Sequence, residues 1–223
     1  MLKESYLDVK HLINEGDVIL FRGNGFFSGL VRAYGQSAYT HVGLASWVNG
    51  SSNTTDGILE LVEFREGSFL SGIFGSSGGG CGRAINLDRE VKKFSGRVDV
   101  YRPCQNFGQF TYDKDTKNIE YISVPFDGKK VTRILRYMTG LPYGWHRVWT
   151  IIKYRILLFG LYNNYDSLMS DESKEDIYPV CSSVVAYAFS INGYDLIKNR
   201  SDEWTSPGDI ASSPRLSYLF TLC

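Results

Sequence analysis

Val18, Ile19, Leu20 and Phe21 form an unbroken apolar run inside "GDVILFRG" (residues 16–23), just after a turn glycine and aspartate. A run this short and this continuous predicts a strand buried on both faces. "THVGLASWV" (40–48) and "ILELVEF" (58–64) predict two more strands. The turn-forming "NGSSNTTDG" (49–57) lies between them, so 41–64 is expected to be a hairpin with a long loop. "RVDVYRP" (97–103) alternates like a strand, and "QFTYDKDTKNIEYISV" (109–124) reads as a hairpin with a polar tip at 113–118. Helical spacing marks "FFSGLVRAYG" (26–35), "GKKVTRILRYMTG" (128–140, ending on a C-cap glycine), "WHRVWTIIKYRILLFG" (145–160), and a run from Cys181 to about Asn192-Gly193. Residues 1–15 read as a short helix or an extended lead-in. "GSFLSGIFGSSGGGCG" (67–82), the acidic 163–179 and "SPGDIASSP" (206–214) read as loops. The expected fold class is α+β, one domain over 1–223 with a core at about 15–214, in which an antiparallel sheet packs against helices.

Composition narrows the function classes. Lysine plus arginine equals aspartate plus glutamate, 24 each, so no net charge draws the chain to nucleic acid or to an anionic membrane. The start, "MLKESYLDVKHLINEG", has no apolar core of a signal peptide, so cytoplasmic synthesis is expected. The most apolar stretch, "VWTIIKYRILLFGLY", is broken by Lys153 and Arg155, and no stable membrane insertion is expected. The four cysteines (81, 104, 181, 223) form no CxxC pair. With three histidines (11, 41, 146), neither a zinc site of standard spacing nor any other cofactor is expected, and free thiols are the default.

Candidate chemistry centres on "YPVCSSVVAYAF" (178–189). Cys181 stands where a polar loop gives way to an apolar helix. A helix N-terminus favours a thiolate, and its free backbone N–H groups can stabilise an oxyanion. On position alone, a buried cysteine acting as a small hydrophobe is the ordinary alternative. A nucleophile needs a base. His41, opening an apolar strand, is better placed than the exposed His11 or the aromatic-flanked His146. The imidazole in turn needs an orienting carboxylate on a neighbouring strand. Glu60 and Glu63 lie on opposite faces of theirs by strand parity, and Glu60, flanked by leucines, is favoured over Glu63.

Taken in order, "GDVILFR…YTHVGLA…LELVEF…GLPYGW…VCSSVVAYAF…SPGDI" resembles the permuted branch of the NlpC/P60 superfamily, the YiiX-like cysteine peptidases of the papain-like fold. The resemblance covers roughly residues 15–214. It implies a circularly permuted papain-like fold in which the histidine and glutamate strands precede the nucleophile's helix. It implies Cys181 as nucleophile, His41 as base and Glu60 as the acidic third member, with Tyr143 and Ser182 in substrate binding and Arg22 as a family arginine. Ser183 and Gly144 depart from the pattern, since acidic residues often stand at those positions. The implied activity is a peptidase or amidase acting through an acyl-enzyme on a peptide or peptidoglycan substrate, with delivery by a bacteriophage particle as one route. A thiol hydrolase or acyltransferase for acylated substrates, with 145–162 as the acyl site, and a non-enzymatic virion component are the alternatives.

Overall fold

In the computed structural model, residues 3–23, 37–54, 56–66, 80–112, 117, 119–144, 180–197 and 201–222 are described. Nine strands run in chain order as β1 (Lys3–Glu4), β2 (Val18–Arg22), β3 (His41–Val48), β4 (Ile58–Glu66), β5 (Gly80–Asn86), β6 (Arg97–Pro103), β7 (Asn106–Tyr112), β8 (Ile119–Pro125) and β9 (Leu216–Leu222). Seven of them form one sheet in the order β1-β9-β6-β2-β3-β4-β5, and β7 and β8 form a separate hairpin. All pairings are antiparallel except β1 with β9. The helices are α1 (Tyr6–Val9), α2 (Leu87–Lys93), α3 (Gly128–Tyr137), α4 (Cys181–Ser190) and α5 (Pro207–Ala211). The α+β class and the mostly antiparallel sheet agree with the expectation.

Strand alternation sorts the core into two layers. Ile19, Phe21, Ala45, Leu61, Val98 and Val100 pack with Tyr6, Val9, Ile13, Leu87 and Val91, so α1 and α2 cover one face. Val18, Leu20, Val42, Leu44, Val62 and Phe64 pack with Val131, Leu135, Val184, Val185, Ala188 and Phe189, so α3 and α4 cover the other. The unbroken apolar run of β2 follows from this, because β2 sits mid-sheet with helices on both sides.

Two devices fix the elements that matter for chemistry. At the neck of the β3–β4 hairpin, Gly50 and Gly57 pass so close that a Cβ on Gly50 would lie 2.5 Å from the Gly57 Cα. Only glycine allows that approach, and it sets the register Val48↔Ile58, Ser46↔Glu60, Gly43↔Glu63. At the far end of α4, Phe189 stacks on Phe126 (ring centroids 5.6 Å), while Tyr194 hydrogen-bonds the Pro125 carbonyl at 2.9 Å. Those contacts anchor the helix through its C-terminal half.

Several expectations are corrected. The glycine-rich 67–82 is not loop to its end: β5 begins at Gly80 and carries the sheet edge. The 206–214 stretch contains α5, started by Ser206 and Asp209 in a reciprocal capping box with Pro207 at the first helical position. The hairpin read at 109–124 spans Asn106–Pro125. The helices expected at 26–35 and 145–160, the loop at 163–179, and His146 lie outside the described residues.

Candidate active site

Cys181 is the first residue of α4 and is buried. The residue before it, Val180, has no side-chain acceptor to cap the helix. Ser183 reaches back instead: its Oγ accepts the Val180 N–H at 3.2 Å and donates to the Val180 carbonyl at 3.0 Å. A helix start leaves the N–H groups of its first turn without intrahelical partners, and Cys181 stands in that turn. Ser183, a departure from the acidic family habit, therefore has a local structural task. Ser182 is buried next to it, and Tyr143 is buried in the same apolar cluster as Val180 and Cys181. The Tyr143 N–H donates to the Gly80 carbonyl at 3.0 Å, which ties its segment to β5.

His41 opens β3 with only a tenth of its side chain exposed. Its Nε2 lies 2.6 Å from Glu63 Oε2, and the Glu63 side chain is wholly buried. A carboxylate only accepts, so Nε2 carries the proton and Nδ1 is the basic nitrogen of the neutral ring. Nδ1 is buried and has no hydrogen-bond partner among the described residues. Cys181 is near enough for its charge to raise the His41 pKa. With Nε2 taken by Glu63, Nδ1 is the ring nitrogen left to exchange a proton with a thiol.

The electrostatics follow from burial and charge. Burial alone would push the His41 pKa down, but the Glu63 carboxylate, and after it Cys181, raise it well above the ordinary histidine range. For Glu63, burial pushes upward, and the His41 charge and hydrogen bond, then Arg83 and Arg65, outweigh it and hold the carboxyl below its usual range. The Glu63 oxygens are divided. Oε2 serves His41, and Oε1 receives Arg83 through Nε at 2.9 Å and Nη2 at 2.6 Å.

The expected partner Glu60 is elsewhere. It lies across from Ser46 and pairs with Arg136 of α3 at 2.8 Å. Ser46 and Arg136 line a separate cleft of about 620 Å³ between the 49–57 turn and α3, away from the strand end that carries His41. The reason is register. The pairing sums in β3–β4 are even, so His41 shares a face with odd-numbered residues of β4, and Glu63 is the carboxylate two positions along from it. The bounds 40–48 and 58–64 already contain this signal once Val48 is set against Ile58. Arg83 and Arg65 were missed as well. Arg83 sits directly opposite Glu63 on β5, but a stretch read as loop offers no partner strand on which to look for it.

Cys81, Cys104 and Cys181 are free thiols, and His11 is exposed. Arg22 is held in a buried cluster, its Nε 3.1 Å from Asp99 and its Nη2 donating to Tyr39 at 2.6 Å. No helix among the described residues is long and apolar enough to cross a membrane.

No protein-family model matches this sequence, and no curated protein matches it. Among solved structures, the chain is similar to the metalloprotein YiiX from Escherichia coli O157:H7, a DUF1105 protein. The TM-score is 0.53 at 12% identity, covering 93% of this chain and 96% of that one. At that identity the likeness is one of fold.

Proposed function

We propose that this chain is a cysteine hydrolase of permuted papain-like architecture, with Cys181 as nucleophile, His41 as base and Glu63 as the orienting carboxylate. The observation that carries the reading is the buried His41 Nε2–Glu63 Oε2 contact of 2.6 Å beside a cysteine at a helix N-terminus. The order histidine, glutamate, cysteine and the fold likeness to YiiX support it.

In the reaction, Nδ1 of His41 takes the thiol proton as Sγ attacks the substrate carbonyl. The tetrahedral oxyanion lies near the first-turn N–H groups of α4. Collapse breaks the C–N bond, and the imidazolium returns its proton to the leaving amine. Water, deprotonated by His41, then cleaves the thioester to release the acid and restore the thiol. Glu63 holds the ring in the Nε2–H form and stabilises the imidazolium. Tyr143 and Ser182, buried beside the nucleophile, belong to the wall of the substrate site. The substrate we favour is an amide bond in peptide, with peptidoglycan stem peptides first on the strength of the motif resemblance and a phage particle as the means of delivery.

The neighbour's description as a metalloprotein has no counterpart in this donor set. Among the described residues no three His, Cys, Asp or Glu side chains are grouped to hold a metal ion, and Glu63 has already given its two oxygens to His41 and Arg83. No step here is routed through a metal.

The test is selective alkylation followed by substrate release. Iodoacetamide at near-neutral pH should label Cys181 faster than Cys81 and Cys104, although Cys181 is the most buried of the three. Purified sacculi should release new amino groups with native protein and not with Cys181→Ala. Slow, equal labelling would end the nucleophile assignment. Fast labelling without release from sacculi would keep the thiol and discard the wall as substrate.

A further inference from the structure

Outside the trio, one charged side chain is placed to govern it. Arg83 is the direct cross-strand neighbour of Glu63, and it brings two donors, Nε and Nη2, to a single carboxylate oxygen. The opposite oxygen is the one that meets His41. Arg65, the other nearby guanidinium, stays 3.8 Å from Oε1 and is committed to Glu90 of α2. Among the described residues Arg83 has no second acidic partner, and it keeps two-fifths of its side chain in solvent.

A carboxylate turns easily about its last bond, and a buried one turns toward whatever cation is nearest. With His41 and the more distant Arg65 as its partners, Glu63 would have no hydrogen bond on Oε1 and would draw the imidazolium too strongly to let it act as a base. A guanidinium fixed on Oε1 removes both problems. It sets the carboxylate plane, and it shares the negative charge with a group that stays protonated at every working pH. We propose that Arg83 is a positioning residue for the Glu63–His41 pair, holding Oε2 on Nε2 and keeping His41 able to exchange its proton with Cys181. This rests on the hydrolase reading above.

The experiment uses full-length protein with Arg83→Gln and Arg83→Lys. It measures kcat and KM on stem-peptide substrate and the pH profile of Cys181 carbamidomethylation. Arg83→Gln should lower kcat roughly 10- to 100-fold, the scale of a misaligned reacting group, with KM unchanged. Its labelling profile should move to lower pH, because Glu63 then draws the imidazolium more strongly and an imidazolium beside the thiol favours the thiolate. Arg83→Lys keeps the charge but not the two-donor edge, so it should recover the labelling profile more fully than kcat. It also serves if the glutamine variant folds poorly. If native Cys181 labels fast and Arg83→Gln keeps both kcat and profile, the positioning role is overturned while the hydrolase stands. A loss confined to KM overturns it too and makes Arg83 a substrate contact. If native Cys181 labels no faster than Cys104, the hydrolase reading fails and takes the Arg83 role with it.

Discussion

Among the described residues of the sheet, two carboxylates are fully buried, Glu63 on β4 and Asp99 on β6, and they differ in their company. Asp99 faces Arg97 at 2.8 Å and Arg22 at 3.1 Å, and it also accepts hydrogen bonds from Tyr39 and Thr221. Every partner keeps its proton through the working pH range, so the cluster can only hold strands together. Glu63 has such partners in Arg83 and, at 3.8 Å, Arg65. Its remaining partner is a histidine that faces a thiol. Burial is common to both, and a partner able to give up its proton is what separates a candidate site from a staple.

The sharpest break removes the nucleophile. Cys181→Ala should abolish turnover by several orders of magnitude with little change in melting temperature, measured by substrate release and calorimetry. Glu63→Gln should come next, at roughly 10²- to 10⁴-fold in kcat, while Glu60→Gln stays within about twofold. A larger loss from Glu60 would return the third position to it. Asp99→Ala removes the buried carboxylate that Arg22 and Arg97 share and should cost about 3–5 kcal/mol in urea unfolding, yet leave Cys181 labelling of the folded fraction unchanged. Slowed labelling there would dissolve the contrast between the two carboxylates.

The pH dependence of stability offers a finer test. The raised His41 pKa adds stability that is whole below the ordinary histidine value of 6.5 and fades as pH climbs through the folded value. The lowered Glu63 pKa adds stability that is whole above 4.5 and fades as pH falls through the folded value. The difference in unfolding free energy between native protein and His41→Gln should therefore be greatest between about pH 4.5 and 6.5 and shrink on either side. A flat difference would mean the pair is not charged. The smallest effect expected is from Ser183→Ala, about 1 kcal/mol from a lost helix-start hydrogen bond, with labelling of Cys181 retained.

Much of this architecture is legible in sequence where a single period dominates. β2, β3, β4 and β6 announce themselves by apolar runs or alternation, and α3 by its amphipathic spacing. β5 does not, because its first residues belong to a glycine-rich run whose composition says loop. β9 is hidden for another reason: its buried positions are Leu216, Phe220, Thr221 and Leu222, and a bulge opposite Val100–Tyr101 breaks the alternation. α5 hides because its cap, Ser206-Pro207 with Asp209, uses the residues of turns. Cys181 and His41 stand out in the sequence because each needs an explanation as an isolated residue. Glu63 was passed over for Glu60 because flanking leucines describe burial along one strand, whereas the partner of His41 is decided across two.

The nine-residue turn between Val48 and Ile58 behaves like a reading frame. A change there that shifted the Gly50–Gly57 neck by one residue, with β3 held in place, would swing every β4 side chain to the opposite face. Glu63 would turn away from His41 and even-numbered neighbours would take its place, although the change lies at the other end of the hairpin from the histidine. A two-residue shift would preserve the faces and slide the pairing by a step. Length variation that moves the neck is thus expected to occur in pairs, and a chain that breaks this rule should have lost the His41–Glu63 contact along with it.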